Sequence, residues 1–376
     1  MFRIKTTCLA GIMLFVCLIL PFKTTALSAH SYALLDQQSG RLIASSNPQE
    51  KMPMASTTKI MTGLLACESG RLDEIVSVPP EALTVEGSSM GLLPDEKITL
   101  RALVYGLMLN SGNDAANSIA MILGGSIPGF AAQMNIKAQK LQLHNTHFEN
   151  PSGLGADGHY TTALDLAKLG ANAMNNADFS RIVSTKRIKV SYNGIQNGRT
   201  LVNHNHLLGT YTGEIGIKTG FTKKSGRCLV SCATRNGVTL VLVTLNDPDD
   251  WRDHSALLDQ GFAQLHAVSL LDKPIERNVS VAGGTKNSIG AQCEQVDAAL
   301  QSGEEHQVTM QVNLPKQVAA PVRKGQKIGE VVFTIKGTPV ARGALLATSS
   351  VGKAPGKPHS FFYAIRSFFT GLFKSK

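Results

Sequence analysis

The sequence predicts an α/β (α+β) domain, in which helices flank an antiparallel sheet, followed by a small all-β sandwich domain and an amphipathic tail helix. Three observations support this fold class. Helical and strand patterns alternate from about residue 31 to 265, strand patterns alone continue from about residue 267, and a helical apolar stripe returns after residue 360. A length of 376 residues with 43% apolar residues is sufficient for two packed domains.

The N-terminus has the pattern of a secretory signal peptide. A basic start precedes an apolar run over residues 8–22, and Ala26 and Ser28 form a small-residue cleavage site. We therefore assign residues 1–28 to a signal peptide and expect the rest of the chain to be exported. The apolar run is shorter than the roughly 20 residues of a membrane span. An uncleaved N-terminal anchor is the alternative, and it would leave the remainder exported as well.

The first domain, residues 29–266, begins with a predicted hairpin, because two apolar strands flank a polar turn at residues 36–40. Helices and further strands follow from apolar spacing, with Ser56 and Gly70 as start and stop signals and Asn236-Gly237 as a tight turn. The predicted helices cover residues 56–69, 100–109, 115–123, 162–173 and 256–265, and the predicted strands cover residues 214–222, 228–234 and 238–245.

The second domain, residues 267–350, is predicted to contain strands only. Residues 308–314 alternate strictly between apolar and polar, and residues 329–335 are rich in β-branched side chains. A Gly/Pro/Lys-rich linker then leads into the tail, so that residues 351–376 form the linker and the tail helix.

The tail helix carries its apolar side chains on one stripe. Such a short, one-sided helix suits the interface of a bilayer next to anionic lipid, and it is too short to cross the bilayer. The alternative is a final helix docked on the protein's own core. The stripe consists of Phe361, Phe362, Ile365, Phe368, Phe369, Leu372 and Phe373, and the basic residues beside it are Arg366, Lys374 and Lys376.

The net charge of +10 does not indicate a nucleic-acid-binding domain. Three basic residues lie in the first 28 positions and five in the last 26, with no acidic residue in either segment, so the body carries only +2. A nucleic-acid-binding domain would carry a basic face in its folded part. Six cysteines without a C-x-x-C pair argue against a disulfide scaffold and a cysteine zinc site. His204 and His206 lack an evident third ligand, so we expect neither metal nor cofactor.

Three short motifs occur in order along the first domain: S-x-x-K at Ser56 and Lys59, S-x-N at Ser111 and Asn113, and K-T-G from Lys218. Each is weak alone, and a second S-x-x-K occurs at residues 350–353. Their context is specific, because the first opens a helix, the second lies in an inter-helix loop and the third lies on a strand. Together they form the motif set of penicillin-binding proteins and serine β-lactamases.

The first motif supplies a nucleophile and a base. Three residues apart on a helix, Ser56 and Lys59 share one face. A serine hydroxyl becomes nucleophilic when a neighbouring base removes its proton. Lys59 can be that base only if burial and a nearby positive charge, such as Lys218, lower its pKa. The alternative, in which Ser56 is merely a helix cap and Lys59 a solvated side chain, does not explain the ordered motif set.

The remaining motif residues suit proton transfer and substrate binding. Ser111 can relay a proton to the leaving amine, and the Asn113 amide can hold a substrate backbone group. Thr219, together with the lysine before it, can bind a terminal carboxylate, and Gly220 lets the substrate backbone approach the strand. The backbone N–H groups of Phe221 and the nucleophilic serine form the expected oxyanion hole.

On these motifs, the sequence resembles the low-molecular-mass penicillin-binding proteins that are serine-type D-alanyl-D-alanine carboxypeptidases, peptidase family S11. The β domain, ending APVRKGQ at 320–326, resembles the C-terminal domain of that family, and the tail resembles its amphipathic anchor. The stretches that carry the resemblance are PMASTTKIMT (53–62), LMLNSGNDAA (107–116), NPSGL (150–154), HYTTALDLA (159–167) and GIKTGFT (216–222).

The resemblance implies a serine β-lactamase/transpeptidase-like catalytic domain on the outer face of the cytoplasmic membrane. It implies removal of the terminal D-alanine from peptidoglycan pentapeptide stems through a Ser56 acyl-enzyme, a step in cell wall biogenesis. β-Lactam antibiotics would acylate the same serine. Arg252 falls near the arginine that receives the substrate carboxylate in the family, although a surface arginine paired with Asp249 or Asp253 is the alternative.

Two other function classes stay open from the sequence. One is a related hydrolase, either a β-lactamase or a D,D-endopeptidase that cuts cross-links. The S-G-N form of the second motif and the absence of an E-x-x-L-N stretch count against a class A β-lactamase. The other class is a non-catalytic wall-binding scaffold, against which the complete set of Ser56, Lys59 and Lys218 argues.

Overall fold

The structure is a computed structural model that describes residues 26–155 and 157–355. Almost all of the predicted signal peptide and the predicted tail helix lie outside the described residues. In the part of the chain that the structure describes, no single helix combines the length and apolar content needed to cross a membrane. The third and fourth helices meet that test only jointly, across an 82° bend.

The described residues up to position 265 combine helices with strands. The helices are α1 (Lys59–Glu68), α2 (Leu100–Leu109), α3 (Asn113–Gly124), α4 (Ile127–Lys140), α5 (Ala163–Met174), α6 (Ala177–Val183), α7 (Leu207–Thr210) and α8 (Asp250–Gln264). The strands are β1 (Ser31–Asp36), β2 (Leu42–Ser46), β3 (Ile75–Ser77), β4 (Lys97–Thr99), β5 (Arg187–Tyr192), β6 (Ile195–Val202), β7 (Glu214–Thr222), β8 (Gly226–Arg235) and β9 (Val238–Leu245).

The main sheet of this part is antiparallel, in the order β2-β1-β9-β8-β7. Alternate side chains of a strand point to opposite faces of a sheet. Both faces of this sheet are covered. In β9, Val241 and Val243 join the core beneath the helices α1–α6, while Leu240 and Leu242 pack with Leu257 of α8 on the other face. The sheet therefore lies between two helical layers, as predicted.

A smaller sheet, in the order β3-β4-β5-β6, contacts α2 of the helical layer. This layer holds the apolar residues of α2, such as Leu103 and Leu107, against Phe179 of α6 and Leu64 of α1. The helices thus fix the start of α1 and the loop between α2 and α3 relative to the main sheet.

The C-terminal part is all-β, as predicted. A sheet in the order β14-β16-β17-β12-β11-β15 buries an apolar core that includes Val331, Phe333 and Leu345, and β10 pairs with β13 beside it. The strands are β10 (His266–Ser269), β11 (Ile275–Ala282), β12 (Ser288–Cys293), β13 (Asp297–Leu300), β14 (Val308–Asn313), β15 (Gln317–Ala319), β16 (Lys327–Ile335) and β17 (Thr338–Ala347).

Several predicted elements need correction. The closing helix begins at Asp250, six residues before the predicted residue 256, because the Asp-rich start does not show a helical apolar pattern. The predicted helix at residues 56–69 begins as a 3₁₀ turn, Ala55–Thr58, before α1. Helix α4 and the hairpin β5–β6 were not predicted; the hairpin is largely exposed and has little apolar pattern.

Candidate active site

The 3₁₀ turn Ala55–Thr58 holds the candidate nucleophile Ser56. Its conformation is strained, because Ala55 has a left-handed φ of +46°. Two hydroxyl groups stabilise the turn: Thr57 Oγ1 donates to the Met54 carbonyl oxygen at 2.6 Å, and Thr58 Oγ1 donates to the Ala55 carbonyl oxygen at 2.8 Å. The backbone of Ser56 is therefore fixed independently of any substrate.

Lys59 is the first residue of α1 and is fully buried. Its Nζ lies 3.0 Å from Ser56 Oγ, 2.7 Å from Asn113 Oδ1 and 2.9 Å from the Ser152 carbonyl oxygen. The Asn113 and Ser152 oxygens can only accept hydrogen bonds, so they engage both N–H groups of a neutral Lys59 amine. The remaining lone pair of that amine is left for the hydroxyl of Ser56.

The electrostatic surroundings also favour a neutral Lys59. Burial lowers the pKa of Lys59 well below its ordinary value, and the nearby charge of Lys218 lowers it further, while Asp114 acts in the opposite direction. Desolvation disfavours the charged form of a lysine because its hydration is lost. The geometry and the charges therefore agree that Lys59 can accept a proton.

The loop between α2 and α3 supplies the second motif. Asn113 Nδ2 donates to the Glu86 carbonyl oxygen at 2.6 Å, which orients the amide so that its oxygen faces Lys59. Ser111 has a left-handed φ of +57° and lines the cleft. The carboxylate of Asp114 accepts hydrogen bonds from the backbone N–H groups of residues 90, 91 and 92, which ties the neighbouring loop to α3.

The third motif lies on β7, at the end of the sheet order, and packs against the nucleophile turn. Lys218 is buried, its Nζ donates to the Thr219 carbonyl oxygen at 2.9 Å, and burial lowers its pKa to about 7. A Cβ atom on Gly220 would lie 3.2 Å from the backbone nitrogen of Ser56. Only the smallest residue lets the strand approach the nucleophile this closely without crowding.

A cleft of about 380 Å³ opens between the nucleophile turn, β7 and the first turn of α8. It brings the motif residues together with side chains that the motifs did not predict. Lys59, Asn113 and Lys218 lie beneath its surface as buried groups. The lining residues are Ser56, Ser88, Ser111, His204, His206, Thr219, Gly220, Phe221, Arg227, Asp250 and Trp251.

The arginine in this cleft is Arg227, which was not among the predicted residues. It lies opposite Phe221 in the β7–β8 pairing, its guanidinium bonds to Asp250 Oδ1 at 2.8 Å, and it stands 5.5 Å from the Trp251 ring centroid. Arg252, the predicted candidate, does not line the cleft; its guanidinium binds Asp249 and Asp253 instead. Because β7 and β8 form a hairpin, their predicted register could have identified Arg227.

His204 and His206 also line the cleft, beside the K-T-G strand. The His206 ring lies 5.4 Å from the Trp251 ring, and burial lowers the pKa of His204. Within residues 26–155 and 157–355, the structure contains no group of three or more side chains arranged to hold a metal ion. The two histidines therefore form part of the cleft wall, a position that their spacing in the sequence did not indicate.

Comparison with known proteins agrees with this geometry. The family model of peptidase S11, D-alanyl-D-alanine carboxypeptidase, matches residues 21–249, which is more than half of the chain. The chain belongs to the peptidase S11 family. A second model, the C-terminal domain of penicillin-binding protein 5, matches residues 271–353.

Individual relatives extend the match to nearly the whole chain. The D-alanyl-D-alanine carboxypeptidase DacF of Bacillus subtilis is 30% identical over 371 residues, covering 94% of this chain and 95% of that protein. The D-alanyl-D-alanine carboxypeptidase of Streptomyces sp. K15 is 34% identical over 260 residues, covering 64% of this chain and 89% of that protein.

Among solved structures, penicillin-binding protein 5 of Haemophilus influenzae is similar, with a TM-score of 0.65 and 29% identity over 87% of this chain and 98% of that chain. These matches confirm the predicted family and the predicted penicillin-binding-protein fold with an all-β C-terminal domain.

Proposed function

We propose that this member of the family is a serine D-alanyl-D-alanine carboxypeptidase, a hydrolase that removes the terminal D-alanine from peptidoglycan pentapeptide stems. One observation carries the proposal: buried Lys59 faces Ser56 Oγ at 3.0 Å, while two carbonyl oxygens occupy its other hydrogen-bonding positions. A neutral lysine held in this way is a general base for a serine nucleophile.

In the acylation step, Lys59 accepts the hydroxyl proton of Ser56 as its Oγ attacks the carbonyl carbon of the scissile amide. The backbone N–H groups of Ser56 and Phe221 stabilise the oxyanion that forms. Collapse of the tetrahedral intermediate breaks the C–N bond, and Ser111 relays the proton to the departing D-alanine amine. Asn113 holds the lysine and a substrate backbone group. Water then hydrolyses the ester and frees Ser56.

The main test measures D-alanine release from diacetyl-Lys-D-Ala-D-Ala by the chain that begins at residue 29. We expect release by the wild type and none by Ser56→Ala. Ser350→Ala is the matched control, because Ser350 opens the second S-x-x-K stretch and lies outside the cleft; it should retain full activity. Absence of release from folded wild-type protein would reject the proposal.

β-Lactam antibiotics are the proposed inhibitors, because they present a reactive amide carbonyl to the same serine. Mass spectrometry of the intact protein should show one covalent adduct with the wild type and none with Ser56→Ala.

Neither a β-lactamase nor an endopeptidase is favoured. Asp250 is the carboxylate among the lining residues of the described cleft, and it is paired with Arg227 rather than placed to activate a deacylating water.

The terminal carboxylate of the substrate is proposed to bind at Thr219, between Lys218 and Arg227. The placement of Arg227 in the cleft and the half-exposed state of its side chain support this assignment. Arg227→Gln should then raise the KM for the peptide by about 10- to 100-fold, the range of a lost charged hydrogen bond. Arg252→Gln is the competing variant; a larger effect of that substitution would return the role to Arg252.

For the whole chain, we propose a signal peptide at residues 1–28, a catalytic domain at 29–266, a β domain at 267–350 and a membrane anchor at 351–376. This division places the enzyme on the outer face of the cytoplasmic membrane. The support is the apolar stripe and basic flank of the tail sequence. In a co-sedimentation assay with anionic vesicles, the chain 29–376 should be found in the pellet and the chain 29–350 in the supernatant. Equal behaviour of the two chains would reject the anchor.

A further inference from the structure

Two buried carboxylates lie next to the predicted signal-peptide cleavage site. Asp247, three residues before α8, and Asp253, in the first turn of α8, are at most 1% exposed. The backbone N–H of Ser28 donates to Asp253 Oδ2, and the backbone N–H of Ala29 donates to the same oxygen at 3.2 Å. The Ser28 hydroxyl donates to Asp247 Oδ1 at 2.6 Å. The N–H and O–H donors of residues 28 and 29 therefore converge on both acids.

The cationic side chains around these acids do not balance their negative charge. Arg252 binds Asp253 and Asp249, and Arg227 binds Asp250. Asp247 has no cationic partner among the described residues, and its buried Oδ2 has no hydrogen-bond partner there.

The other titratable group in this region does not supply the missing charge. His254 is fully buried between hydroxyl groups, and burial lowers its pKa to about 3. It is therefore neutral at physiological pH. Four carboxylates thus face two guanidinium groups in this cluster: Asp247, Asp249, Asp250 and Asp253 against Arg227 and Arg252.

We infer that Asp253 and Asp247 form a receptor for the α-ammonium group of Ala29, which signal-peptide cleavage after Ser28 creates. Hydrolysis by a signal peptidase adds one water across the Ser28–Ala29 amide. It leaves a carboxylate on Ser28, which departs with residues 1–28, and an ammonium on Ala29. The single N–H that Ala29 now directs to Asp253 becomes three charged donors, and removal of Ser28 opens the space beside Asp247.

The receptor connects processing to the catalytic part of the chain. The same first turn of α8 supplies Asp250 and Trp251 to the cleft. An ion pair at Asp253 therefore acts on the same turn of α8 that contributes to the cleft. The inference depends on the proposed export and cleavage, but it does not depend on the proposed reaction.

The first experiment identifies the N-terminus of the exported protein by Edman degradation. We expect Ala29, and any other first residue would overturn the assignment. The second labels the α-amine with ¹³C-methyl groups and follows its titration by NMR. We expect a pKa raised by about 1 unit or more above the ordinary value of about 7.7. An ordinary value on wild-type protein would overturn the inference without any variant.

The third experiment compares the chain from Ala29 to residue 376 with its Nα-acetylated form. Acetylation should lower Tm by about 3 °C or more in the wild type and should have little effect in Asp253→Asn. Asp259→Asn is the matched control, because Asp259 lies on the same helix in an exposed ion pair with Arg235. It should keep the full acetylation effect. An equal effect in Asp253→Asn and the wild type would reject Asp253 as the receptor.

Discussion

Replacing Gly220 with alanine tests whether the strand β7 and the nucleophile turn are as close as the structure indicates. A Cβ atom at this position would lie 3.2 Å from the carbonyl oxygen of Met54 and from the backbone nitrogens of Ser56 and Thr57. All three atoms belong to backbone and cannot rotate away. The φ of Gly220 is not left-handed, so alanine itself fits the local conformation. The substitution therefore changes the contacts to these three backbone atoms and little else.

The nucleophile turn has little freedom to absorb this contact. The left-handed Ala55 and the hydroxyls of Thr57 and Thr58 fix its backbone. Crowding of a packed site costs about 1–3 kcal/mol, which lowers Tm by about 2–4 °C per kcal/mol for a protein of this size class. Displacement of the Ser56 N–H weakens one oxyanion donor, whose complete loss costs about 10²–10³ in rate. We expect acylation to fall by about 10- to 100-fold.

The assay is the second-order rate constant for acylation by a fluorescent penicillin, measured together with Tm. Gly209→Ala is the control, because a Cβ at Gly209 has no atom within 4 Å and the residue lies in the short helix α7. It should leave both quantities unchanged. A Gly220→Ala variant that reacts within about twofold of wild type, with an unchanged Tm, would refute the close approach of β7 to Ser56.

Three further perturbations test other parts of the structure. Acylation should increase as pH rises through the pKa of Lys59. Because Lys218 lowers that pKa, Lys218→Met should move the acidic limb to higher pH in a stopped-flow profile, and an unmoved limb would contradict this coupling. Burial raises the pKa of Glu214 to about 8, so the folded protein binds a proton that the unfolded chain has released. Stability should therefore fall by at most about 1.4 kcal/mol per pH unit from about pH 4.5 to 8, and Glu214→Gln should flatten the thermal-unfolding profile. Gly153→Ala puts a Cβ 1.9 Å from a backbone carbonyl oxygen, whereas Gly155→Ala, also at positive φ, meets no atom within 4 Å. Gly153→Ala should lower the free energy of unfolding, measured with urea, by about 3 kcal/mol or more, and Gly155→Ala should lower it clearly less.

The sequence predicted the strands of the main sheet well because their apolar residues are continuous or alternate regularly. The bounds of β7 and β9 agree with the prediction to the residue. The start of α8 was wrong because Asp250 and Asp253 are buried there by tertiary contacts, so the first turn lacks an apolar stripe. The hairpin β5–β6 was not predicted because most of its side chains are exposed and polar.

The site shows a similar division. The three motifs and their order along the chain were sufficient to predict that Ser56, Lys59 and Lys218 share one site, because a short motif can be identified from the local sequence alone. They could not show which arginine faces the cleft. Arg252 on α8 is three residues from Asp249, the N-cap of that helix, and this spacing lets the two side chains pair. Arg227 enters the cleft through the cross-strand register of the β7–β8 hairpin, which no single motif reports.

The charges at the cleft support the proposed binding of a substrate carboxylate on the β7 side. Burial and the charge of Lys218 both lower the pKa of Lys59 and so favour its neutral form. An anion placed next to Lys59 would stabilise its ammonium form and remove the base. An anion bound at the proposed position between Lys218 and Arg227 pairs with those cations rather than with Lys59. Correct substrate binding and a working base therefore require the same arrangement of charge.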